Sequence, residues 1–390
     1  MPTKVVLGLQ YGDEGKGKVV DQLVENWAEI VIRFQGGDNA GHTIYDEHGH
    51  KYVLHAIPTG VLKNNILNII SRGCVVNPIN IVKEITNLCV EPKNLRISPG
   101  CPVILPHHIE IDKAEYQKVI GTTAKGIGPA YSEYYSRSGL TLKDVCFNFF
   151  KVKDRIIKDY QEATEFSKND DELIEMISSL ETSCNYLKNY LDDNIEENLQ
   201  IAYSNNKNIV LEGAQGWGLD IWSDFYPNVT SSSPSVGGAM ISTGLSHVQI
   251  DEVIGIVKAY KTRVGSGDFP TELFGEEINK IRIELGEYGA TTSRPRRIGW
   301  LDLDELKIAC QRNGVNHIIV TRTDSMELFS EIKYKYNSQI QRAKTWSKSE
   351  NKENLIKYVD LISKSTNVNN VSYSFGPKRN QIKWFKENYI

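Results

Sequence analysis

The sequence predicts an α/β fold in which a large, mostly parallel central sheet carries flanking helices and a P-loop-like nucleotide site. Residues 4–9 (KVVLGL) have the composition of a strand, and a glycine-rich turn joins them to residues 18–27, whose apolar positions have helical spacing. Residues 30–34 (IVIRF) form a second strand-like run that also ends at a glycine-rich loop. Because ligands of parallel sheets bind at the carboxyl ends of the strands, we expect a site where these two runs stop.

Later apolar runs repeat this pattern. Each one stops at a polar or glycine-bearing loop: residues 67–71, 209–211, 253–259 and 317–320. We therefore expect these runs to extend the sheet and their loops to add groups to the site. We predict a single domain over residues 1–390, with a helical insertion at about 142–203 and a polar, exposed and variable excursion at about 337–370.

The composition is that of a globular protein without an excess of basic residues. Hydrophobic residues make up 40% and charged residues 24% of the 390 residues, and the formal net charge is −4. We therefore expect no nucleic-acid partner. The six cysteines include no C-x-x-C pair, which favours reduced thiols in a cytoplasmic protein. No apolar run approaches membrane-spanning length, and residues 1–4 lead straight into the first strand, so we expect no membrane partner and no signal peptide.

Residues 12–18 (GDEGKGK) form the first glycine-rich loop and match half of the phosphate-binding P-loop pattern. Its three glycines let backbone N–H groups turn toward an anion at the positive end of the following helix. Val19 stands where the P-loop pattern has a hydroxyl that ligates Mg²⁺, so we assign that role to the Asp13 carboxylate. When the motif is taken alone, a flexible surface turn with solvated charges explains it about equally well.

Residues 36–43 (GGDNAGHT) form the second glycine-rich loop and favour a nucleotide site over a surface turn. Asn39 supplies a hydrogen-bonding amide, His42 supplies a candidate general acid or base, and the Gly41 carbonyl supplies a further metal ligand. We expect His42 to face Asp13 across two adjacent strand ends. Histidines outside this loop are first interpreted as structural: His55, His107 and His108.

Both loops resemble the opening motifs of the adenylosuccinate synthetase family. The family pattern is Q-W-G-D-E-G-K-G-K followed by F-Q-G-G-x-N-A-G-H-T, and both stand here, with Tyr11 in place of the tryptophan. Further matches extend over nearly the whole chain: residues 120–123 (IGTT), 126–131 (GIGPAY), 212–216 (EGAQG), 226–232 (YPNVTSS), 262–265 (TRVG) and 269–272 (FPTE). A single fused motif would not produce matches this widely spaced.

The resemblance implies a GTP-dependent ligase fold and a Mg²⁺-dependent ligation of IMP and L-aspartate, the first committed step of AMP synthesis from IMP. GTP would phosphorylate O6 of IMP, and the aspartate amine would displace the 6-phosphoryl group to give adenylosuccinate, GDP and phosphate. By similarity, Asp13 takes the N1 proton and ligates Mg²⁺ together with Gly41, while His42 donates to the phosphoryl region. A cytoplasmic homodimer is also implied, with Arg137 reaching into the site of the other subunit.

The resemblance assigns residues to each of the three substrates. The GTP contacts are Gly12, Asp13, Glu14, Gly15, Lys16, Gly17, Lys18, Gly41, His42, Thr43, Arg296, Arg322, Thr323, Asp324, Ser374, Phe375 and Gly376. The IMP contacts are Asp13, Glu14, Gly15, Lys16, Asn39, Ala40, Gly41, His42, Thr123, Arg137, Gln215, Thr230 and Arg294. The aspartate contacts are Ala290, Thr291, Thr292, Ser293, Arg294, Pro295 and Arg296. Taken singly, some have plainer explanations, since Thr230 can cap a turn, Gln215 can be a loop amide and Arg137 can be a solvated surface charge.

An aspartate after the run at 317–320 favours guanine over adenine. In the sequence TRTD, Asp324 can accept two hydrogen bonds from guanine N1–H and its 2-amino group, although an ordinary strand-terminal turn is the alternative. The chain departs from the family pattern at Lys125, Trp217, Asp268, Ser293, Arg322 and Phe375, and it is shorter than bacterial members over about 325–370.

Two other functions stay open from the sequence. A GTP-binding regulatory protein would use the loops to switch conformation and would hydrolyse GTP slowly without IMP or aspartate. The same fold could instead act on another purine, such as a 2-amino nucleotide, or use ATP, because small shifts around a base change discrimination by ~1–3 kcal/mol. Asp13, His42 and the TRTD sequence favour the ordinary ligation.

Overall fold

The structure, a computed structural model, describes residues 2–45, 49–165, 170–289, 293–347 and 350–385. Its strands, numbered along the chain, are β1 (Thr3–Gly8), β2 (Ile30–Arg33), β3 (His42–Tyr45), β4 (Lys51–Leu54), β5 (Leu67–Ile70), β6 (Leu95–Ile97), β7 (Ile209–Glu212), β8 (Glu252–Lys258), β9 (Lys261–Arg263), β10 (Arg297–Gly299), β11 (Leu301–Asp302), β12 (His317–Thr321), β13 (Ile332–Tyr336), β14 (Gln339–Ala343), β15 (Asn370–Ser374) and β16 (Ile382–Lys383). Its helices are α1 (Lys16–Asn26), α2 (Pro78–Asn87), α3 (Pro106–Ile111), α4 (Gln117–Ile120), α5 (Ile127–Tyr135), α6 (Leu142–Phe147), α7 (Phe149–Ala163), α8 (Asp170–Leu187), α9 (Ile195–Ser204), α10 (Val236–Thr243), α11 (Glu276–Leu285), α12 (Leu303–Asn313) and α13 (Lys352–Thr366).

Nine of the described strands form the central sheet, in the order β16-β15-β12-β8-β1-β7-β2-β5-β6. Every neighbouring pair is parallel except β15 and β16, which are antiparallel. The predicted α/β fold with a mostly parallel sheet is confirmed, and each predicted strand run overlaps one of these strands. The expectation that the first two strand ends are adjacent is wrong, because the crossover through α1 skips one position, which β7 fills.

Both faces of β1 are covered, so the strand is buried along its whole length. Val5 and Leu7 belong to the apolar core on one face, whereas Val6 belongs to the core on the other face. Helix α1 covers that second face with Val19 and Leu23, among others. This alternation follows from the two-residue period of a strand, and it fixes the start of α1 beside the carboxyl end of β1.

Three strands of the sheet lack the apolar period on which the sequence prediction rested. β6 has three residues, β16 has two, and β15 has the partly polar sequence NVSYS. Short strands at or next to a sheet edge carry little periodic signal, so sequence reasoning missed them.

Helices α6, α7 and α8 pack beside the β6 end of the sheet. They contribute Leu142, Ile156 and Leu180 to an apolar core that also contains Leu95 and Ile97 of β6. Among the described helices, none has the length and apolar character that a membrane crossing needs.

The segment at about 337–370, predicted as an exposed excursion, contains β14 and α13. Helix α13 buries Leu355, Tyr358 and Ile362 in the core that covers one face of the sheet. The Tyr358 hydroxyl donates to the carbonyl of Ala259 at 2.9 Å. The prediction of exposure is therefore wrong for α13, because the polar stretch SKSENKEN before it masked the apolar face that follows.

Substituting Ile362 tests the packing of α13. Ile362→Ala is expected to lower the free energy of unfolding by about 2–5 kcal/mol, because the side chain is fully buried and its removal leaves a cavity. The matched control is Ile356→Ala on the outer face of the same helix, where the side chain is 44% exposed and a change within about 0.5 kcal/mol is expected. Urea unfolding followed by circular dichroism measures both, and equal midpoints for the two variants would contradict the packing.

Candidate active site

A cavity of about 870 Å³ opens at the carboxyl end of the central sheet. The loops after β1, β2, β7, β12 and β15 line it, although they are far apart in the sequence. Most predicted site residues contribute to its lining: residues 12–18 and 39–43, with Thr123, Gln215, Thr230, Arg294, Arg296, Arg322, Asp324, Ser374 and Gly376.

Some predicted site residues lie away from the lining of this cavity. Thr323 is buried behind it, and Phe375 is 41% exposed. Arg137 follows the end of α5 in the left-handed conformation, with an exposed side chain. Ser293 and Pro295 are also exposed. Ala290, Thr291 and Thr292 lie outside the described residues.

Glu14 fixes the shape of the first glycine-rich loop. Its buried carboxylate accepts hydrogen bonds from the backbone N–H groups of Gln10 at 3.1 Å and Gly12 at 2.8 Å. The Lys16 ammonium lies 2.6 Å from the other carboxylate oxygen and also donates to the Gln215 carbonyl. The Glu14 and Lys16 side chains, predicted as ligand contacts, therefore also hold the loop in one geometry.

Glycine is required where the first loop turns and where the two loops meet. Gly15 caps α1 with a φ of 94°, in the left-handed region that other residues rarely adopt. A β-carbon on Gly17 would lie 3.1 Å from the β-carbon of His42. The glycines therefore let His42 approach the start of α1.

Asp13 lies at the cavity with its side chain 32% exposed. Arg296 donates from Nε to Asp13 Oδ2 at 2.8 Å and from Nη1 to Glu287 at 2.6 Å. Glu287 is fully buried and accepts further hydrogen bonds from Lys258, at 2.9 and 3.1 Å, and from the Tyr260 hydroxyl. Burial opposes the charge of Glu287, but Lys258 and Arg296 outweigh it and lower its pKa to about 2. The ionised Glu287 carboxylate thus positions the Arg296 guanidinium, and Arg296 in turn donates a hydrogen bond to one oxygen of Asp13.

His42 begins β3 and is paired with a second buried carboxylate. Its Nδ1 contacts Glu212, the last residue of β7. The Thr59 N–H and hydroxyl also donate to Glu212, at 2.8 and 2.6 Å. Burial opposes the charge of Glu212, but His42, Arg33 and Thr59 together lower its pKa to about 2. The Glu212 carboxylate therefore accepts a hydrogen bond from Nδ1–H of His42, which leaves Nε2 to face a ligand.

Gln215 connects the loop after β7 to the second glycine-rich loop. Its Nε2 donates to Asn39 Oδ1 at 3.3 Å, and the same oxygen accepts the Gly37 N–H at 3.2 Å. Its Oε1 is buried and has no hydrogen-bond partner among the described residues. A buried unpaired acceptor costs roughly 1–3 kcal/mol, so a donor on a bound ligand would relieve it.

The loops after β12 and β15 are joined behind the cavity. The Thr323 hydroxyl donates to the Ser374 carbonyl at 2.8 Å. Arg322 has a φ of 59°, and both Arg322 and Asp324 line the cavity. Sequence reasoning placed Thr323 with the ligand contacts, and the structure gives its side chain this connecting role.

Lys18 contacts the loop after β15. Its ammonium donates to Ser374 Oγ at 2.5 Å, to the Gly376 carbonyl at 2.6 Å and to the Gln381 carbonyl at 3.0 Å. Burial lowers the pKa of Lys18 to about 8, although the Asp324 carboxylate opposes the shift. The second lysine of the motif therefore joins the first loop to a loop more than 350 residues later in the chain.

Arg294 connects the segment after α11 to residues 121–126. Its Nη1 donates to the Gly121 carbonyl at 2.6 Å. Asp112 anchors the same segment, because it accepts the Thr122 hydroxyl at 2.6 Å and the Gly126 N–H at 2.8 Å. Thr123 is thereby held at the cavity beside Arg294.

His107 and His108 lie outside the cavity lining and face Glu133, with nitrogen–oxygen distances of 2.9 and 3.2 Å. His108 Nδ1 accepts the Leu105 N–H at 2.9 Å, so its proton sits on Nε2 and faces the carboxylate. Metal-ligating histidines usually donate a proton from the second nitrogen, which this geometry prevents for His108.

Sequence reasoning did not assign a role to Glu212 or Glu287. Glu212 opens the recognised EGAQG run, so the end of a predicted strand was a usable signal. Glu287 stands in an ordinary polar stretch, and its pairing with Arg296 follows only from the fold.

Similar proteins identify the family. A sequence model described as "Adenylosuccinate synthetase" matches residues 5–352. The adenylosuccinate synthetase of Cytophaga hutchinsonii is 44% identical over 346 residues, which cover 85% of this chain and 79% of that protein. The adenylosuccinate synthetase of Thermodesulfovibrio yellowstonii is 42% identical over 354 residues, covering 87% and 82%.

Solved structures agree with the sequence matches. A fully ligated adenylosuccinate synthetase from Plasmodium falciparum superposes with a TM-score of 0.91 and 30% identity, covering 99% of this chain and 100% of that chain. The succinoaminodeoxyadenylate synthetase of cyanophage S-2L, bound to dGMP and to dATP as an energy donor, shares the fold at a TM-score of 0.68 and 19% identity. The chain belongs to the adenylosuccinate synthetase family.

Proposed function

We propose that this chain ligates IMP and L-aspartate by way of a 6-phosphoryl-IMP intermediate, with Asp13 and His42 as its catalytic residues. Members of the family are ligases of AMP biosynthesis that bind GTP and form a carbon–nitrogen bond. The observation that carries the residue assignment is that Asp13 and His42 line one cavity, each in a hydrogen-bonded network containing a buried carboxylate.

Asp13 is suited to remove a proton from the purine. Arg296 takes one lone pair of Oδ2, and the remaining lone pairs of the carboxylate can accept the N1 proton of IMP and a metal ion. Loss of that proton places negative charge on O6 of the purine, which makes O6 a nucleophile toward the terminal phosphorus of GTP. Arg296 then stabilises the charge distribution around Asp13 while Glu287 keeps the guanidinium in place.

His42 is suited to stabilise the transferred phosphoryl group. Glu212 fixes the ring by accepting a hydrogen bond from Nδ1–H. In the imidazolium form, which the Glu212 carboxylate stabilises, Nε2–H is then the donor that meets the phosphoryl oxygens. Backbone N–H groups at the start of α1 add positive potential at the same place. Phosphoryl transfer needs mainly positioning and charge stabilisation, which these groups supply.

Members of the family use a metal ion, and we propose Mg²⁺ held by Asp13 and the Gly41 carbonyl. The donor set fits, because Mg²⁺ prefers one or two carboxylate or carbonyl oxygens together with phosphate oxygens and water. Bound there, Mg²⁺ would neutralise the charge that develops between the phosphates.

The remaining assignments divide the cavity between the substrates. The loops after β12 and β15, with Asp324 and Ser374, form the guanine side, while Gln215, Thr230 and Thr123 form the IMP side. Residues 290–296 would bind the aspartate carboxylates. We also propose a homodimer in which Arg137, which is exposed and lies away from the cavity lining of its own chain, reaches the site of the other subunit. A cytoplasmic location is proposed from the family resemblance alone.

The test of the function is a reconstituted assay with IMP, L-aspartate, Mg²⁺ and either GTP or ATP, in which product is followed by its ultraviolet spectrum. Omitting IMP or aspartate is expected to stop product formation and nucleotide turnover together. GTP hydrolysis that ignores both co-substrates would favour the regulatory protein instead.

Asp13→Asn is expected to lower kcat by about 10²–10⁴-fold, because the amide cannot accept the purine proton. The fold should persist, since Arg296 keeps its contact with Glu287. Asp224→Asn is the matched control, because the Asp224 side chain is 82% exposed on the surface. Near-normal turnover by a folded Asp13→Asn protein would remove Asp13 from the mechanism.

Mixing two inactive variants tests the shared site. Arg137→Leu should inactivate each site that receives the residue from its neighbour, and Asp13→Ala should inactivate the site of its own chain. A mixture that exchanges subunits is expected to recover about a quarter of wild-type activity, because half of the dimers are mixed and each holds one intact site. No recovery, with exchange demonstrated by differently tagged chains, would contradict a role for Arg137 in the second subunit.

The KM for GTP is expected to rise as the pH passes about 8, where Lys18 of the free enzyme loses its proton. A neutral amine has two N–H groups and cannot donate to all three acceptors on the loop after β15. Below about pH 7 the ammonium is intact, and the KM should be flat. Lys18→Arg is the control, because its guanidinium stays charged over this range and should abolish the rise whatever its absolute KM. A wild-type KM that stays flat to about pH 9 would exclude this role for Lys18.

A further inference from the structure

The loop of residues 375–381, which joins β15 to β16, is a compact turn at the edge of the cavity. The Phe375 N–H donates to the Gln381 carbonyl at 3.1 Å, and the Gln381 N–H donates to the Lys378 carbonyl at 3.1 Å. The Lys378 N–H donates back to Gln381 Oε1 at 2.9 Å. Gly376 and Pro377 line the cavity. The position of this turn therefore decides where its backbone would meet the guanine base of the proposed GTP substrate.

Arg379, on the far side of this turn, forms hydrogen-bonded ion pairs with α1. Its Nε and Nη2 donate to the two oxygens of Asp21 at 2.7 and 2.9 Å, and its Nη1 donates to Glu25. The Asp21 side chain is 8% exposed and that of Arg379 is 23% exposed. A two-point, charge-assisted contact of this kind fixes orientation as well as distance.

The contacts to the turn form a single stripe on α1. Lys18, Asp21 and Glu25 are three and four residues apart, so they lie on one face of the helix. Lys18 holds the near side of the turn through its two carbonyl contacts, and Asp21 and Glu25 hold the far side through Arg379. Because α1 starts directly after Gly15, the stripe sets the distance between the phosphate loop and the turn.

We propose that Arg379 is a positioning residue for nucleotide recognition, which acts through Asp21 and Glu25 of α1 to hold residues 375–381 at a fixed distance from the phosphate loop. This rests on the proposed function, in which the turn faces the base of the triphosphate. We call the contacts of Arg379 with Asp21 and Glu25 the clamp. Without the clamp, the turn would have to be ordered by the nucleotide itself. Ground-state binding of GTP would weaken, while the chemical step on bound substrates would be preserved.

Steady-state kinetics of Arg379→Gln tests the clamp. The KM for GTP is expected to rise by about tenfold, because the variant loses roughly one charge-assisted hydrogen bond. The kcat should stay within about twofold of wild type. The KM values for IMP and aspartate should not change. Arg379→Lys keeps the charge but loses the two-point contact, so a smaller rise of about threefold is expected.

The partner residue and the double variant show whether Arg379 acts through the helix. Asp21→Asn should raise the KM for GTP in the same direction, and the Arg379→Gln, Asp21→Asn double variant should be no worse than Arg379→Gln, because both changes remove one contact. Lys63→Gln is the matched control: Lys63 pairs with the same Glu25 at 2.9 Å from a different loop, so its loss should leave the KM for GTP unchanged.

Three outcomes would overturn the proposal. An unchanged KM for GTP with a lower thermal midpoint in both Arg379→Gln and Asp21→Asn would make the pair purely structural. Multiplying effects in the double variant would mean that Arg379 contacts the nucleotide itself. A rise for Lys63→Gln equal to that for Arg379→Gln would assign the effect to Glu25 alone. A wild-type preference for ATP would instead contradict the proposed donor, and a rise in the KM for ATP in Arg379→Gln would still support the clamp.

Discussion

The buried carboxylate of Glu14 is the contact on which the candidate site depends. Its side chain accepts hydrogen bonds from two backbone N–H groups of the first loop and pairs with the Lys16 ammonium. Its backbone carbonyl accepts a hydrogen bond from the Thr321 hydroxyl at 2.6 Å. The loop after β1, the end of β12 and, through Lys16, the loop after β7 therefore meet at one residue. A β-carbon on Gly216 would lie 2.4 Å from the Glu14 carboxylate, so the neighbouring loop has no room to move toward it. The backbone groups proposed to bind phosphate are thus held in place by contacts within the protein.

The two proposed catalytic residues are supported differently, although both networks contain an ionised buried glutamate. Glu212 contacts His42 directly and so fixes which ring nitrogen faces the carboxylate and which faces the cavity. Glu287 acts one step further away, since Arg296 stands between it and Asp13. A directly paired Asp13 and Glu287 would repel each other, whereas the guanidinium lets an ionised carboxylate support another carboxylate. This arrangement orients the Asp13 carboxylate toward the cavity, as a general base requires.

The features that were predicted correctly from the sequence are those that depend on residues close together in the chain. The glycine loops, the six strand runs and the apolar face of α1 are each contained in a few consecutive residues, so period and composition identified them. The contacts of Lys18 were missed because its partners lie more than 350 residues later in the chain. Glu287 was missed because its role depends on Arg296, which reaches Asp13 from 283 residues away. Helix α13 was missed because the composition of a long segment outweighed the spacing of its apolar residues. The order of strands was also beyond reach, since no pattern within β1 or β2 records that β7 pairs with both.

The position of β7 explains why the cavity can bring Asp13 and His42 to one ligand. If β1 and β2 were direct neighbours, their two glycine loops would compete for the space at the carboxyl edge of the sheet. With β7 between them, the strands that carry these loops are about 9–10 Å apart, twice the spacing of neighbouring strands. The end of β7 and the loop after it bridge this distance. Glu212 contacts His42, the Gln215 carbonyl accepts a hydrogen bond from Lys16, and the Gln215 amide contacts Asn39. A planar ligand that meets both Asp13 and His42 would therefore lie near Gln215, whose buried Oε1 has no hydrogen-bond partner in the part of the chain that the structure describes. The same strand thus sets the separation of the two proposed catalytic residues, and the loop after it supplies the polar group that a purine placed between them would meet.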